Sequence, residues 1–183
     1  MLRNSINTVT VAVLAIAAAL LGCNARTEDS SKRVAFVTKY APIEFSFPAG
    51  WSQNQKENPY DLQCIAPSQR MNTGVFAYKK VDLAADSKPI DNLWTHVNDI
   101  KSKRKNFKEL EAIQKYEHGD TTITSISYTG EKDSSRNCYR FSLVEFKADP
   151  SKFAVLIQVA LPEEWNQSKP FLDEITKSAK PLP

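Results

Sequence analysis

The chain has 183 residues, of which 10% are aromatic and 25% charged, and a formal charge of +3. That apolar and aromatic content suffices for a packed core and excludes a disordered chain. A charge so near neutral excludes the strongly basic face of a nucleic-acid binder, so no nucleic acid is expected among the partners.

Met1 to Asn7 carry one cation, Arg3, and no acid, and Thr8 to Leu21 (TVTVAVLAIAAALL) is almost wholly apolar. A short basic head, an apolar run of about 7–15 residues and a small residue at the cut describe an export signal. The run falls short of the ~20 apolar residues of a membrane span. It closes on Leu20-Leu21-Gly22-Cys23, which resembles the lipobox of bacterial lipoproteins. The resemblance implies that residues 1–22 are removed, that the Cys23 thiol receives a diacylglyceryl group and that the new amino terminus is acylated. Losing Arg3 takes the formal charge from +3 to +2. Each buried methylene of an acyl chain contributes ~0.8 kcal/mol, so several chains hold the protein on a membrane. In lipoproteins of Gram-negative rods, Asp after the cysteine favours the inner membrane. Asn24 stands there instead and points to the outer membrane, facing the periplasm.

Residues 23–33 are polar, lack periodicity and read as a tether. Residues 34–183 have the size of one domain, with no composition break. Export places Cys64 and Cys138 in an oxidising compartment, where a disulfide between them is expected. It would close a loop of about 75 residues, worth ~4 kcal/mol in the chain-entropy model. The alternative is two separate buried thiols.

Val34 to Tyr40 reads as a strand, and Ile43 to Phe47 alternates apolar and polar as a half-buried strand does. Pro48-Ala49-Gly50 stops it before Trp51. Asp61 to Ala66 and Val75 to Val81 read as hairpin partners. Ile90, Leu93, Trp94, Val97 and Ile100 make one apolar helical stripe with Trp94 in the core, Pro89 in the first turn and Asp91 at the positive end. Lys101, Lys103, Arg104, Lys105 and Lys108 crowd the other end. Strands follow at Phe107 to Tyr116, Thr121 to Tyr128 and Cys138 to Phe146, with turns at Glu117 to Asp120 and Ala148 to Ser151 and a charged loop from Gly130 to Arg136. Phe153 to Leu161 is nearly all apolar, the mark of a central strand covered on both faces. A last helix from Pro170 to Ala179 turns Phe171, Leu172, Ile175 and Ala179 inward. The order predicts an α+β fold with a mostly antiparallel sheet and helices on both faces, an α/β/α sandwich.

Phe45-Ser46-Phe47-Pro48-Ala49-Gly50-Trp51 resembles the opening of PsbP-like and Mog1-like domains, where a strand ends in a proline and a tryptophan. Phe171 to Ser178 resembles their last helix, and the element order between agrees. The resemblance spans Ile43 to Ser178 and implies a non-enzymatic interaction domain. It carries over no binding residue.

Catalytic signatures are sparse. His96 falls beside the helical stripe and His118 in a turn, and neither stands at zinc-ligand spacing from Cys64 or Cys138, so no metal and no cofactor are expected. The chain lacks a Gly-x-Ser-x-Gly elbow, a phosphate-binding loop and a dinucleotide fingerprint. The adjacent acids Glu109 and Glu111, and Glu163 and Glu164, read as solvated or dipole-facing groups. Trp51 and Trp165 read as core or rim packing. The basic residues Lys101, Lys103, Arg104 and Lys105 suit an anionic surface, either lipid headgroups, an envelope polymer or an acidic protein. The expectation is a membrane-anchored envelope module that binds or scaffolds an envelope protein or polymer. An envelope hydrolase with an unrecognised site is the alternative. A deep pocket of converging polar groups would favour the hydrolase, and a shallow apolar groove the binder.

Overall fold

The computed structural model describes residues 32–56 and 58–183. Cys23 and the tether up to residue 31 lie outside the described residues. Strands β1 (Arg33–Val37) and β2 (Ile43–Pro48) pair with the two-residue β10 (Lys180–Pro181) in a small sheet. The large sheet has β3 (Ser52–Gln53), β4 (Leu62–Ile65), β5 (Met71–Lys79), β6 (Lys105–His118), β7 (Thr121–Lys132), β8 (Ser135–Phe146) and β9 (Lys152–Ala160). Their spatial order is β3-β4-β5-β9-β8-β7-β6, and neighbours run antiparallel.

The central place of β9 follows from its composition. Ala154, Leu156 and Ala160 face one apolar cluster, and Phe153, Val155 and Ile157 face another. Alternate side chains of a strand point to opposite faces, so a strand apolar at nearly every position needs a cover on each side. Helix α1 (Pro89–Ser102) supplies one cover through Leu93 and Val97. Helix α2 (Trp165–Lys177) and the small sheet supply the other, with Trp165, Leu172, Ile175, Ile43, Phe45 and Phe47 all buried. The α+β sandwich is therefore as expected, with a small sheet added beside α2.

Several local expectations need correction. The charged loop at Gly130 to Arg136 is a two-residue turn, because Asp133 (φ 50°) and Ser134 (φ 66°) both adopt the left-handed conformation that a tight hairpin requires. Strands β7 and β8 then run on to Lys132 and from Ser135. Helix α2 starts five residues before Pro170, which sits inside it. A 3-10 turn over Pro162–Glu164 leads the chain into that helix. Trp94 is not core but 36% exposed. Relative to the buried centre of α1 near Leu93 and Val97, it lies about 80° around the helix at ~100° per residue.

The expected disulfide is not formed, and Cys64 and Cys138 are both free and buried. Cys64 lies on β4 and Cys138 on β8, with β5 and β9 between them. Three strand spacings of ~4.8 Å separate them by about 14 Å, twice the reach of a disulfide.

Candidate functional site

Helix α1 covers only part of its face of the sheet. It rests on β8 and β9. Its flank toward β5 is closed by His96, whose ring stacks on Phe76 at 4.0 Å and whose Nε2 lies 2.6 Å from Tyr78 Oη. The opposite flank stays open above β7 and β6. A groove of about 480 Å³ runs there between the first turn of α1 and the sheet. Ile90, Ile113, Thr124 and Leu143 form its apolar floor and walls, with Lys88, Lys115 and Glu145 at its rim. Ile113 is 49% exposed there, and Trp94 (36%) on α1 and Leu110 (42%) on β6 are further exposed apolar side chains on the two elements that flank it.

The groove has a built entrance. The Lys88 backbone N–H donates to Asp91 Oδ2 at 2.7 Å, which fixes the first turn of α1 beside Pro89. On the other side, β6 is the edge strand, and three register irregularities break its pairing with β7. Bulges and charges on an edge discourage addition of another strand. This edge is therefore a poor template for a further strand, and the flank presents the side chains of the groove instead.

The structure divides the predicted basic cluster. Lys103 pairs with Asp99 at 2.6 Å. Arg104 Nε donates to Tyr139 Oη at 2.8 Å, with its guanidinium 5.5 Å from the ring centre. Arg104 is thus a packing residue, whereas Lys101 and Lys105 are exposed. Cys64 and Cys138 face the α2 side among buried apolar side chains, and burial pushes the Cys64 thiol up to about 12. Trp51 and Trp165 are buried, as expected. His118 ends β6 beside Gly119 and Asp120, and His96 stands on α1. Among the described residues no group of three or more His, Cys, Asp or Glu is placed to hold a metal ion. No helix among the described residues is long and apolar enough to cross a membrane.

Sequence reasoning missed a second feature, on the α2 face. Lys169 Nζ donates to Glu111 Oε1 at 2.5 Å, and Arg140 pairs with Asp173. Ser127 Oγ also donates to Glu111, at 2.8 Å. Burial pushes the Glu111 carboxyl up, but the hydrogen bonds from Lys169 and Ser127 outweigh it and hold the group below its ordinary value. The only advance signal was a lone arginine inside an apolar strand pattern at Arg140.

A seven-stranded antiparallel sheet, covered by one helix on one face and by a helix with a small sheet on the other, is the fold of PsbP-like and Mog1-like domains. By sequence, the chain matches no protein-family profile and no curated protein. Its structure is similar to cyanobacterial PsbP (CyanoP) from Synechocystis sp. PCC 6803, with TM-score 0.61 and 13% identity over 88% of this chain and 99% of that one. It is also similar to LpqN of Mycobacterium tuberculosis, described as involved in cell envelope biogenesis, with TM-score 0.60 and 13% identity over 83% and 91% of the two chains. The Ran-binding protein Mog1p of Saccharomyces cerevisiae matches with TM-score 0.53 and 12% identity over 81% and 95%. Identities this low speak for the fold alone.

Proposed function

We propose that the chain is a lipid-anchored envelope module that binds a protein partner without catalysis. The observation that carries this reading is the open apolar groove between α1 and β6, with Ile113 exposed in it and Trp94 and Leu110 exposed on the two elements that flank it. Exposed aromatic and aliphatic side chains around a shallow groove suit the anchors of a protein interface. The similarity to LpqN, a protein of cell envelope biogenesis, and to the Ran-binding Mog1p agrees with a binding role in the envelope.

The anchor in this proposal is an acylated Cys23, and the tether between it and β1 raises the local concentration of the domain at the membrane surface. Outer-membrane placement, read from Asn24, belongs to the same proposal. Topology adds an orientation. Chain entry at Lys32, the end of α1 and the start of β6 lie at one end of the sandwich, since β1 starts beside Pro48, α1 leads into Lys105, and Lys105 pairs beside Glu131. Lys101 and Lys105 would then face anionic headgroups. The hydrolase reading is less well served. The cluster of polar groups under α2 consists of mutually paired charges, and its Glu111 is held below its ordinary value rather than poised near neutrality.

The test is a photo-crosslinker placed at Ile113 in intact cells, with a second placed at Asn166 on α2. A discrete adduct from the first position only, lost on Trp94→Ala, supports the reading. Adducts from neither position, together with turnover of an envelope substrate by the purified protein, overturn it. Mass spectrometry of the mature N-terminus tests the anchor separately, and an unmodified Cys23 removes that part of the proposal.

A further inference from the structure

The sheet face beneath α2 holds a row of polar side chains where a covered sheet is ordinarily apolar. Thr73, Gln158, Arg140, Ser127 and Glu111 stand side by side on β5, β9, β8, β7 and β6. The next row adds Ser125 and Ser142, whose hydroxyls meet at 2.9 Å. Two ion pairs rise from these rows to α2, Glu111 to Lys169 and Arg140 to Asp173. Lys169 and Asp173 are one helical turn apart, so both reach down from one face of α2.

Between the two pairs lies a cavity of about 180 Å³, lined also by Gln114, Ser125 and Ser127. The β6 irregularities between Glu109 and Glu111 and between Glu111 and Gln114 sit at its mouth. Bulges re-aim side chains and gather beside binding sites. The Arg140 side chain is only 8% exposed. A buried ion pair is weak evidence for stability, so charges gathered on a covered sheet face ask for a reason. Two ion pairs and a bulged edge strand at one cavity point to a bound molecule.

We infer that this cavity binds one ring of a neutral, polyhydroxylated ligand, a sugar unit. The wall carries two cations and two carboxylates, already paired, so its formal charge is zero. A simple anion or cation would have to break a pair to bind. A sugar hydroxyl donates and accepts at once, so it meets a spare carboxylate lone pair and a spare guanidinium N–H without disturbing either pair. The cavity is small, about 180 Å³, so it suits one ring rather than a longer chain. The site lies on the face opposite the apolar groove, so a glycan and a protein partner would bind at the same time.

The experiment is backbone NMR of the full chain in detergent micelles. The probes are D-glucose and N-acetyl-D-glucosamine, with glycine and inorganic phosphate as charged comparisons. The expected result is a saturable shift of Gln114, Ser125 and Ser127 with at least one sugar. Gln114→Leu, at an exposed rim position, should weaken binding about tenfold, the loss of one good hydrogen bond. No saturable shift with either sugar up to about 100 mM, where even a millimolar complex is filled, overturns the inference. A response to glycine or phosphate alone also overturns it, as does a sugar response unchanged by Gln114→Leu. None of these outcomes bears on crosslinking at Ile113.

Discussion

Tyr78 Oη and His96 Nε2 meet at 2.6 Å and tie α1 to β5. Burial lowers the His96 pKa from its ordinary value of 6.5, with Asp99 acting weakly against it. The fold therefore prefers the neutral ring. Its contribution to stability is complete above the unfolded-state value and is lost as the pH falls from there through the lower folded-state value. Urea midpoints of the natural chain should drop between pH 8 and pH 5 by more than those of His96→Gln, which keeps a hydrogen-bonding side chain but does not titrate. Equal drops in the two chains would show that His96 is not the group responsible.

Gly74 on β5 lies under the Tyr60 ring, and a Cβ built on it would stand 2.3 Å from Tyr60 Cε1. The Tyr60 ring in turn packs on Phe76 at 4.9 Å, so it has little room to withdraw. Gly74→Ala should cost about 1–3 kcal/mol, the usual range for overpacking a core. Tyr60→Ser in the same chain should relieve most of the added strain. A double-mutant cycle by denaturant unfolding measures the coupling, and additivity would contradict the contact.

What was legible in the sequence is what depends on one strand or one helix at a time. Phe153 to Leu161 announced a central strand because both of its faces are apolar. Ile43 to Phe47 announced a half-buried one because only alternate residues are. What was not legible depends on lateral register. Nothing in the segment around Cys64 or Cys138 says that two strands stand between them. Nothing in the short segment Lys180–Pro181 says that it will pair with β2. The polar row under α2 gathers residues from five strands, and only the finished sheet aligns Arg140 with Ser127 and Glu111. The turn at Asp133 and Ser134 was hidden for another reason. It lacks the glycine that ordinarily marks a left-handed position, so its charge read as a loop.

The same register governs the thiols. Cys64 and Cys138 are buried, and burial raises both above their ordinary value, Cys64 to about 12. The thiolate is the reactive form, so both should resist an aromatic disulfide reagent at pH 8 in the native state and react together on unfolding. Non-reducing and reducing gels of the purified protein should migrate alike. Native-state labelling at the rate of a free thiol would overturn this prediction.

Leu93 and Trp94 are neighbours in the helical stripe, yet they should respond very differently to truncation. Leu93 is fully buried between α1 and the sheet, among Phe141, Leu143, Phe153 and Val155. Leu93→Ala removes buried methyl groups and leaves a cavity, which costs about 2–5 kcal/mol. Trp94 stands at the open flank, with over a third of its surface in water. Trp94→Ala should cost less than Leu93→Ala, because over a third of the surface it gives up is already wet and water can fill the space it leaves. The order of these two values discriminates sharply, since tryptophan is much the larger side chain and a core position would reverse it. Thermal or urea unfolding of the two variants, measured side by side, supplies the comparison. A Trp94→Ala cost above that of Leu93→Ala would place the indole in the core and close the groove that the proposed partner is meant to enter.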